Sequence, residues 1–306
     1  ETNGGLVWLK NRDGGNRNHR LFDSVRGATK GLYSDLPNQE FTESGLDSFE
    51  DNGFFLGSVA GVNANNESFV AWCWKGGSDS VQNTQGTITS DVSANTEAGF
   101  SIVSYTGNLT NTTTETGASV GHGLNSPPEL IMFKVLSTPE NWVVYSSELD
   151  NWSTNLHLNT NDQKDNQYST YPIADPTSDV FYTNYLTAQN VSGNNYIAYC
   201  FHSVAGYSSI GTYNGQNPTK VTVTLGFRPS WIMIKSTSNT YGWWMLDSQR
   251  SPTGDWDDYL YADTFADEGI TGGNWIRPTA TGFETNATGG SVTNQNGVNY
   301  IYMAFK

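Results

Sequence analysis

At 306 residues the chain exceeds one domain of about 150 residues and is long enough to bury a substantial core. Charged residues are only 15% while 10 Trp, 16 Tyr and 14 Phe make 13% of the chain aromatic, which argues against intrinsic disorder. A net charge of −15 repels phosphate backbones and anionic lipid headgroups, and no apolar run approaches the ~20 residues of a spanning helix, so neither nucleic acid nor membrane insertion is expected.

In chain order, the first apolar run is Leu6-Val7-Trp8-Leu9-Lys10, followed by Leu21-Phe22-Asp23-Ser24 and the aromatic strand Phe69-Val70-Ala71-Trp72-Cys73-Trp74-Lys75. Residues 76–99 are rich in Gly, Ser, Thr, Asn and Gln and read as a linker. The same three elements then return as Leu130–Lys134, Val144–Ser147 and Tyr196–His202, and again as Trp231–Lys235, Met245–Ser248 and Tyr300–Lys306. From Lys10 to Cys73, Lys134 to Cys200 and Lys235 to Ala304 the separations are 63, 66 and 69 residues, a near-constant spacing that marks an internal repeat. The second and third copies carry a leading strand as well, Ile102–Asn108 and Ile210–Gln216, for which the first copy has no room. Chain truncation inside a module is the expectation.

No long stretch keeps helical periodicity, so the expected fold is all-β: three tandem antiparallel β-sandwich modules, jelly-roll or concanavalin-like, at 1–75 (incomplete at its N-terminus), 100–202 and 203–306. The repeated strand is apolar on both alternating sets, which implies that both faces are covered. That pattern, with the missing leading strand, predicts a homo-oligomer, a trimer for instance, or a neighbour that supplies the strand.

Cys73 and Cys200 occupy one repeat position, filled by Ala304 in the third copy, and are expected to be reduced and buried. His19, His122, His157 and His202 lack metal-ligand spacing, and the hydrolase elbow and phosphate-loop motifs are missing, so no catalytic or zinc site is assigned. Asp23-x-x-Arg26 recurs as Asp247-x-x-Arg250, with Ser146 and Leu149 in the second copy, and reads as an Asp-capped turn paired with Arg. Asp255, Asp257 and Asp258 surround Trp256, and Trp152 stands in the matching region. This loop is the candidate glycan contact, a ring face beside hydrogen-bonding oxygens, with Ca²⁺ binding as the other chemistry these carboxylates allow.

Gly5–Arg12, Leu21–Lys30, Asp51–Phe54, Gly61-Val62-Asn63, Phe69–Lys75 and the ending from Gly226-Phe227-Arg228-Pro229 to Phe305 together resemble a family of bacteriophage and marine-virus structural proteins with a repeated domain. The resemblance implies a non-enzymatic virion protein of a tail fibre or other external appendage. It would associate with itself and other virion proteins and touch a host-surface glycan. A capsid decoration or head fibre and a polysaccharide-degrading tailspike are the alternatives. The virion is the implied location.

Overall fold

The computed structural model describes residues 4–15, 17–77, 79–110, 117–165, 173–184, 187–270, 276–287 and 292–306. The first part of the chain forms β1 (Gly5–Asn11), β2 (Arg20–Asp23), β3 (Lys30–Leu32), β4 (Phe41–Thr42), β5 (Leu46–Glu50), β6 (Gly53–Leu56), the single-turn helix α1 (Ala60–Asn63) and β7 (Phe69–Lys75). Next come β8 (Val81–Asn83), β9 (Ser90–Asn95), β10 (Phe100–Thr106), β11 (Ala118–Gly121), β12 (Leu130–Val135), β13 (Val143–Ser146), β14 (Asn155–His157), β15 (Val180–Thr183) and β16 (Asn195–Phe201). The last part holds β17 (Ser208–Asn214), β18 (Thr222–Thr224), β19 (Trp231–Ser236), β20 (Trp244–Asp247), β21 (Asp258–Tyr261), β22 (Gly269–Ile270), β23 (Ile276–Thr279), β24 (Gly282–Thr285) and β25 (Asn299–Phe305). The protein is all-β, with antiparallel sheets, as its aromatic and β-branched runs predict.

Three large sheets repeat one pairing. Their orders are β4-β3-β2-β1-β7, β14-β13-β12-β16-β10-β9-β8 and β22-β21-β20-β19-β25-β17. In each, the lysine-bearing strand lies between its hairpin partner and the aromatic closing strand, and the register is the same: Val7 opposite Cys73, Ile131 opposite Cys200, Ile232 opposite Ala304. We call these sheets one, two and three.

Residues 76–99, expected to be a linker, contain β8 and β9, which extend sheet two beyond β10. The segment is polar because it forms the half-exposed edge of that sheet. Val92 turns inward to the core while Asp91 meets solvent.

Each sheet packs on both faces, apart from the Ala71, Cys73 and Lys75 side of β7, which is exposed. One face of all three goes into a single core in which Leu6, Trp8, Leu130, Met132, Trp231 and Met233 are joined by the closing-strand residues. At its centre stand Trp74, Phe201 and Phe305, the residues that follow Cys73, Cys200 and Ala304 in the three closing strands. Their ring centroids are 6.4, 5.8 and 6.2 Å apart, with interplanar angles of 74°, 71° and 65°. The opposite faces pack separately. Sheet one takes the β5–β6 hairpin through Leu46, sheet two takes β11 and β15 through Val120 and Phe181, and sheet three takes β18, β23 and β24 through Val223, Ile276 and Phe283. The two apolar faces that suggested an oligomer are thus largely covered within one chain.

The sheets meet cyclically. Trp142 Nε1 donates to Tyr33 O at 2.7 Å, Trp243 Nε1 donates to His157 O at 2.8 Å, and His19 Nε2 lies 2.8 Å from Tyr261 O. Donors and acceptors occupy equivalent positions, two residues before Val144, Met245 and Leu21 and one after Leu156, Leu260 and Leu32. Main-chain bonds follow the same cycle: Glu40 N to Leu136 O, Lys164 N to Thr237 O and Glu268 N to Arg12 O, at 3.1, 2.9 and 3.1 Å. Sheet two therefore binds sheet one, three binds two and one binds three, a head-to-tail contact that closes within the chain.

Candidate functional site

The strongest polar constellation is the repeated Asp-x-x-Arg. Asp23 Oδ1 accepts from the amides of Val25 and Arg26, and its Oδ2 accepts from Arg26 Nε at 2.5 Å. Asp247 does the same for Gln249, Arg250 and Arg250 Nε at 2.6 Å. Both pairs are buried, and the capping role expected from sequence holds. Each also receives a bond from a neighbouring sheet: Tyr199 Oη donates to Asp23 at 2.7 Å and Trp72 Nε1 to Asp247 at 3.0 Å. Tyr199 and Trp72 are equivalent positions, and the third equivalent is Met303. Methionine offers no donor, and the sheet it faces in the cycle carries Ser146 and Leu149 in place of Asp and Arg. The absence of the motif from the second copy is explained by its neighbour.

Three buried lysines form a second set. Lys10 Nζ donates to Asn11 O at 2.7 Å, Lys134 Nζ to Val135 O, Glu140 O and Pro37 O at 3.1, 2.8 and 3.2 Å, and Lys235 Nζ to Ser236 O and Asn161 O at 2.7 and 3.3 Å. Pro37 and Asn161 belong to the next sheet in the cycle. Desolvation lowers each ammonium to about 8, partly offset by nearby carboxylates. His19 is held neutral, well below the ordinary imidazole range, by burial, and its Nδ1 accepts from Trp8 Nε1 at 2.9 Å. Beside it Asp35 is raised to about 6, again by burial, while accepting from Asn18 Nδ2 and His19 N. Lys134, Lys235 and His19 bond across the sheet-to-sheet seams, whereas Lys10 and Asp35 bond within sheet one.

The Trp256 loop departs from expectation. Trp256 is 1% exposed and Trp152 is 6% exposed; they occupy equivalent positions in the outer cores of sheets three and two, where sheet one has Ala28. Neither presents an open ring face to a sugar. The reason is packing: four residues later in each copy comes a core leucine, Leu260, Leu156 or Leu32, so this is a core position. Asp255 is paired with Arg277 at 2.5 Å, which holds its carboxyl below the usual range, Asp258 accepts from Ser251 Oγ at 2.9 Å, and Asp257 is half-buried. Among the described residues no group of three or more His, Cys, Asp or Glu is placed to hold a metal ion, and these carboxylates do not converge as Ca²⁺ ligands would.

Both cysteines are free. Cys200 is buried, as expected, but Cys73 is exposed. The difference follows from sheet order: β16 is covered by β10, whereas β7 ends sheet one. The groove walls still desolvate the Cys73 sulfur and push its thiol up to about 11. A groove of about 440 Å³ runs along this edge, between β7 and the Ser230–Trp231 and Asp247–Gln249 segments of sheet three. Sequence reasoning noted the missing strand without locating the groove.

The Domain of unknown function family DUF7483 matches residues 2–306, nearly the whole chain. The chain belongs to this family. No curated protein and no solved structure matches it. Because the DUF7483 match spans all three sheets, the family unit includes the whole cycle rather than one sandwich.

Two outcomes follow for this DUF7483 chain. Asp247→Ser strips the buried Arg250 of one of its two carboxylate partners, Glu268 remaining, leaves Trp72 Nε1 without its acceptor, and should cost about 3–5 kcal/mol. Adding Arg250→Leu together with Trp72→Met, which installs the Ser/Leu/Met combination found where sheet three meets sheet two, should recover most of that loss in urea unfolding; an additive loss would contradict the compensation. The second concerns pH. Lysines depressed from 10.5 to about 8 are charged at a cost in the fold, so above about pH 8 the unfolded chain binds more protons and stability rises with pH. Cys200 and the buried tyrosines, pushed upward by burial, act oppositely at higher pH. The urea midpoint should therefore climb between about pH 7.5 and 9, less steeply in Lys134→Met; a falling midpoint over that window would contradict the assignment.

Proposed function

We propose that the chain is a non-catalytic structural protein of a virus particle, part of a tail fibre or other external appendage on the extracellular virion. Support comes above all from the cyclic closure. Three sheets share one aromatic core and are joined by equivalent hydrogen bonds at each of the three seams of the ring, so the chain makes a stiff block with its loops outside. His19, Asp35 and the three lysines, all with ionisation shifted by burial, lie at the seams of that block, where perturbation accompanies architecture rather than a reaction cleft. A net charge of −15 suits a surface that faces solvent and not a genome. The likeness of Gly5–Arg12 and Leu21–Lys30 to phage structural proteins points the same way, and the partners are then other proteins of the particle. With Trp152 and Trp256 in the cores, glycan stacking through that loop is not part of the proposal.

Cryo-electron microscopy of intact particles should place the three-sheet block on an external appendage. Density lining the capsid interior, or failure of mass spectrometry to find the chain in purified particles, would contradict the proposal.

A further inference from the structure

Sheets two and three carry a strand on the outer edge of the closing strand, and sheet one does not. On β16 lies β10, with Ile102 opposite Tyr199, Val103 opposite Ala198 and Tyr105 opposite Tyr196. On β25 lies β17, with Ile210 opposite Met303, Gly211 opposite Tyr302 and Tyr213 opposite Tyr300. The two tyrosine pairs stack with centroids 5.2 and 4.9 Å apart. Among the described residues nothing pairs with the outer edge of β7, where Trp72, Ala71 and Phe69 hold the equivalent places.

The groove along that edge matches the slot that β17 fills. Its far wall includes Ser230, Ser248 and Gln249 of sheet three. The equivalent positions of sheet two are Glu129, Ser147 and Glu148, and the β17 side of the slot reaches the first of them: Ser203, just before β17, bonds Glu129 through its amide at 3.1 Å and through its hydroxyl. A strand in the third slot would run between β7 and the wall of sheet three in the same way.

A second, independent feature lies at the end of the slot. After β10 and β17 the chain turns, and a buried asparagine captures the turn: Asn190 Oδ1 accepts from Asn108 N and Asn294 Oδ1 from Gln216 N, each at 2.8 Å. These asparagines stand six residues before Tyr196 and Tyr300. Sheet one has Asn63 six residues before Phe69. The loop conformation is kept as well, with the left-handed residue three before the aromatic in every copy: Asn66 at φ 63°, Gly193 at 83° and Gly297 at 78°. Asn66 adopts that conformation without glycine's freedom. Asn63 donates through Nδ2 to Gly57 O at 3.0 Å, its Oδ1 accepts nothing from the described residues, and the side chain is exposed.

We propose that the β7 edge is a strand-acceptor site that takes an extended peptide segment, antiparallel to β7, with the pattern Ile-(small or β-branched)-(Ser/Thr)-Tyr-x-Gly-(Asn/Gln). The isoleucine lies opposite Trp72 and enters the shared core, the tyrosine stacks on Phe69, a serine or another small residue faces Cys73, and the amide of the terminal Asn or Gln is captured by Asn63 Oδ1. Main-chain bonds to the β7 edge supply affinity and the alternate side chains supply specificity. The same edge, left long and without a strand partner among the described residues, is open to wrong pairing.

The test uses the full chain and the synthetic peptides Phe100–Asn108 and Ser208–Gln216. Either peptide should bind one to one by calorimetry and slow alkylation of Cys73 at least about tenfold, because the equivalent Cys200 is fully covered where β10 is in place. Replacing the peptide tyrosine by serine should weaken binding, and so should Asn63→Ala in the chain, by about tenfold at a temperature where the variant, which loses only the bond to Gly57 O, remains fully folded. The proposal is overturned if neither peptide protects Cys73, if a scrambled peptide protects it equally, or if sedimentation shows that copies of the chain alone associate and protect Cys73 without peptide.

Discussion

Everything in this fold depends on three aromatic side chains meeting at one point. Trp74, Phe201 and Phe305 come from the same position of three repeated strands and touch edge to face at the centre of the common core. Such pairs add about 0.5–1.5 kcal/mol each beyond the area they bury. Their geometric consequence is larger than their energy. When equivalent residues of three sheets converge, each sheet must present one flank to its neighbour and the other to the third, so the contacts can only be head-to-tail. With three sheets that sequence closes, and the donors His19, Trp142 and Trp243 each find a carbonyl on the next sheet.

Within this frame the copies diverge in coupled pairs. Where a closing strand carries a donor, Tyr199 or Trp72, the facing turn keeps a buried carboxylate with its arginine. Where it carries Met303, the facing turn has Ser146 and Leu149, and Leu149 joins the apolar core. A buried ion pair is tolerable only while every oxygen is bonded, so a donor and a carboxylate are gained or lost together. The lysines obey the same rule with carbonyls as partners, which is why their ammonium groups tolerate burial at all.

Much of the architecture was legible in the residues. Apolar character on both alternating sets of Tyr196–His202 and Tyr300–Lys306 marks strands covered on two sides, and constant spacing marks the repeat; Phe69–Lys75 departs, with Ala71 and Cys73 exposed. Three features were not legible, each for a physical reason. Segment 76–99 lies at a sheet edge, where polar residues satisfy one face and only a few apolar residues, Ile88 and Val92 foremost, report the other. Trp256 beside three aspartates imitates a sugar platform, yet its repeat partners Trp152 and Ala28 are apolar, and the reasoning that Ala304 imposed on the cysteines would have marked it as core. Cys73 was misjudged because repeat position sets which face a side chain takes, whereas exposure depends on a covering strand that sheet one lacks. The cyclic order left no trace in local pattern, since it is set by contacts between distant segments such as Glu40 with Leu136 and Glu268 with Arg12.

The central claim is that the three sheets form one structural unit through their shared core. Differential scanning calorimetry of the intact chain measures this most directly. One transition, with calorimetric and van't Hoff enthalpies in agreement and moved to lower temperature as a whole by Phe201→Ala, is the predicted result. Separate transitions for the sheets, with Phe201→Ala shifting only one of them, would contradict it.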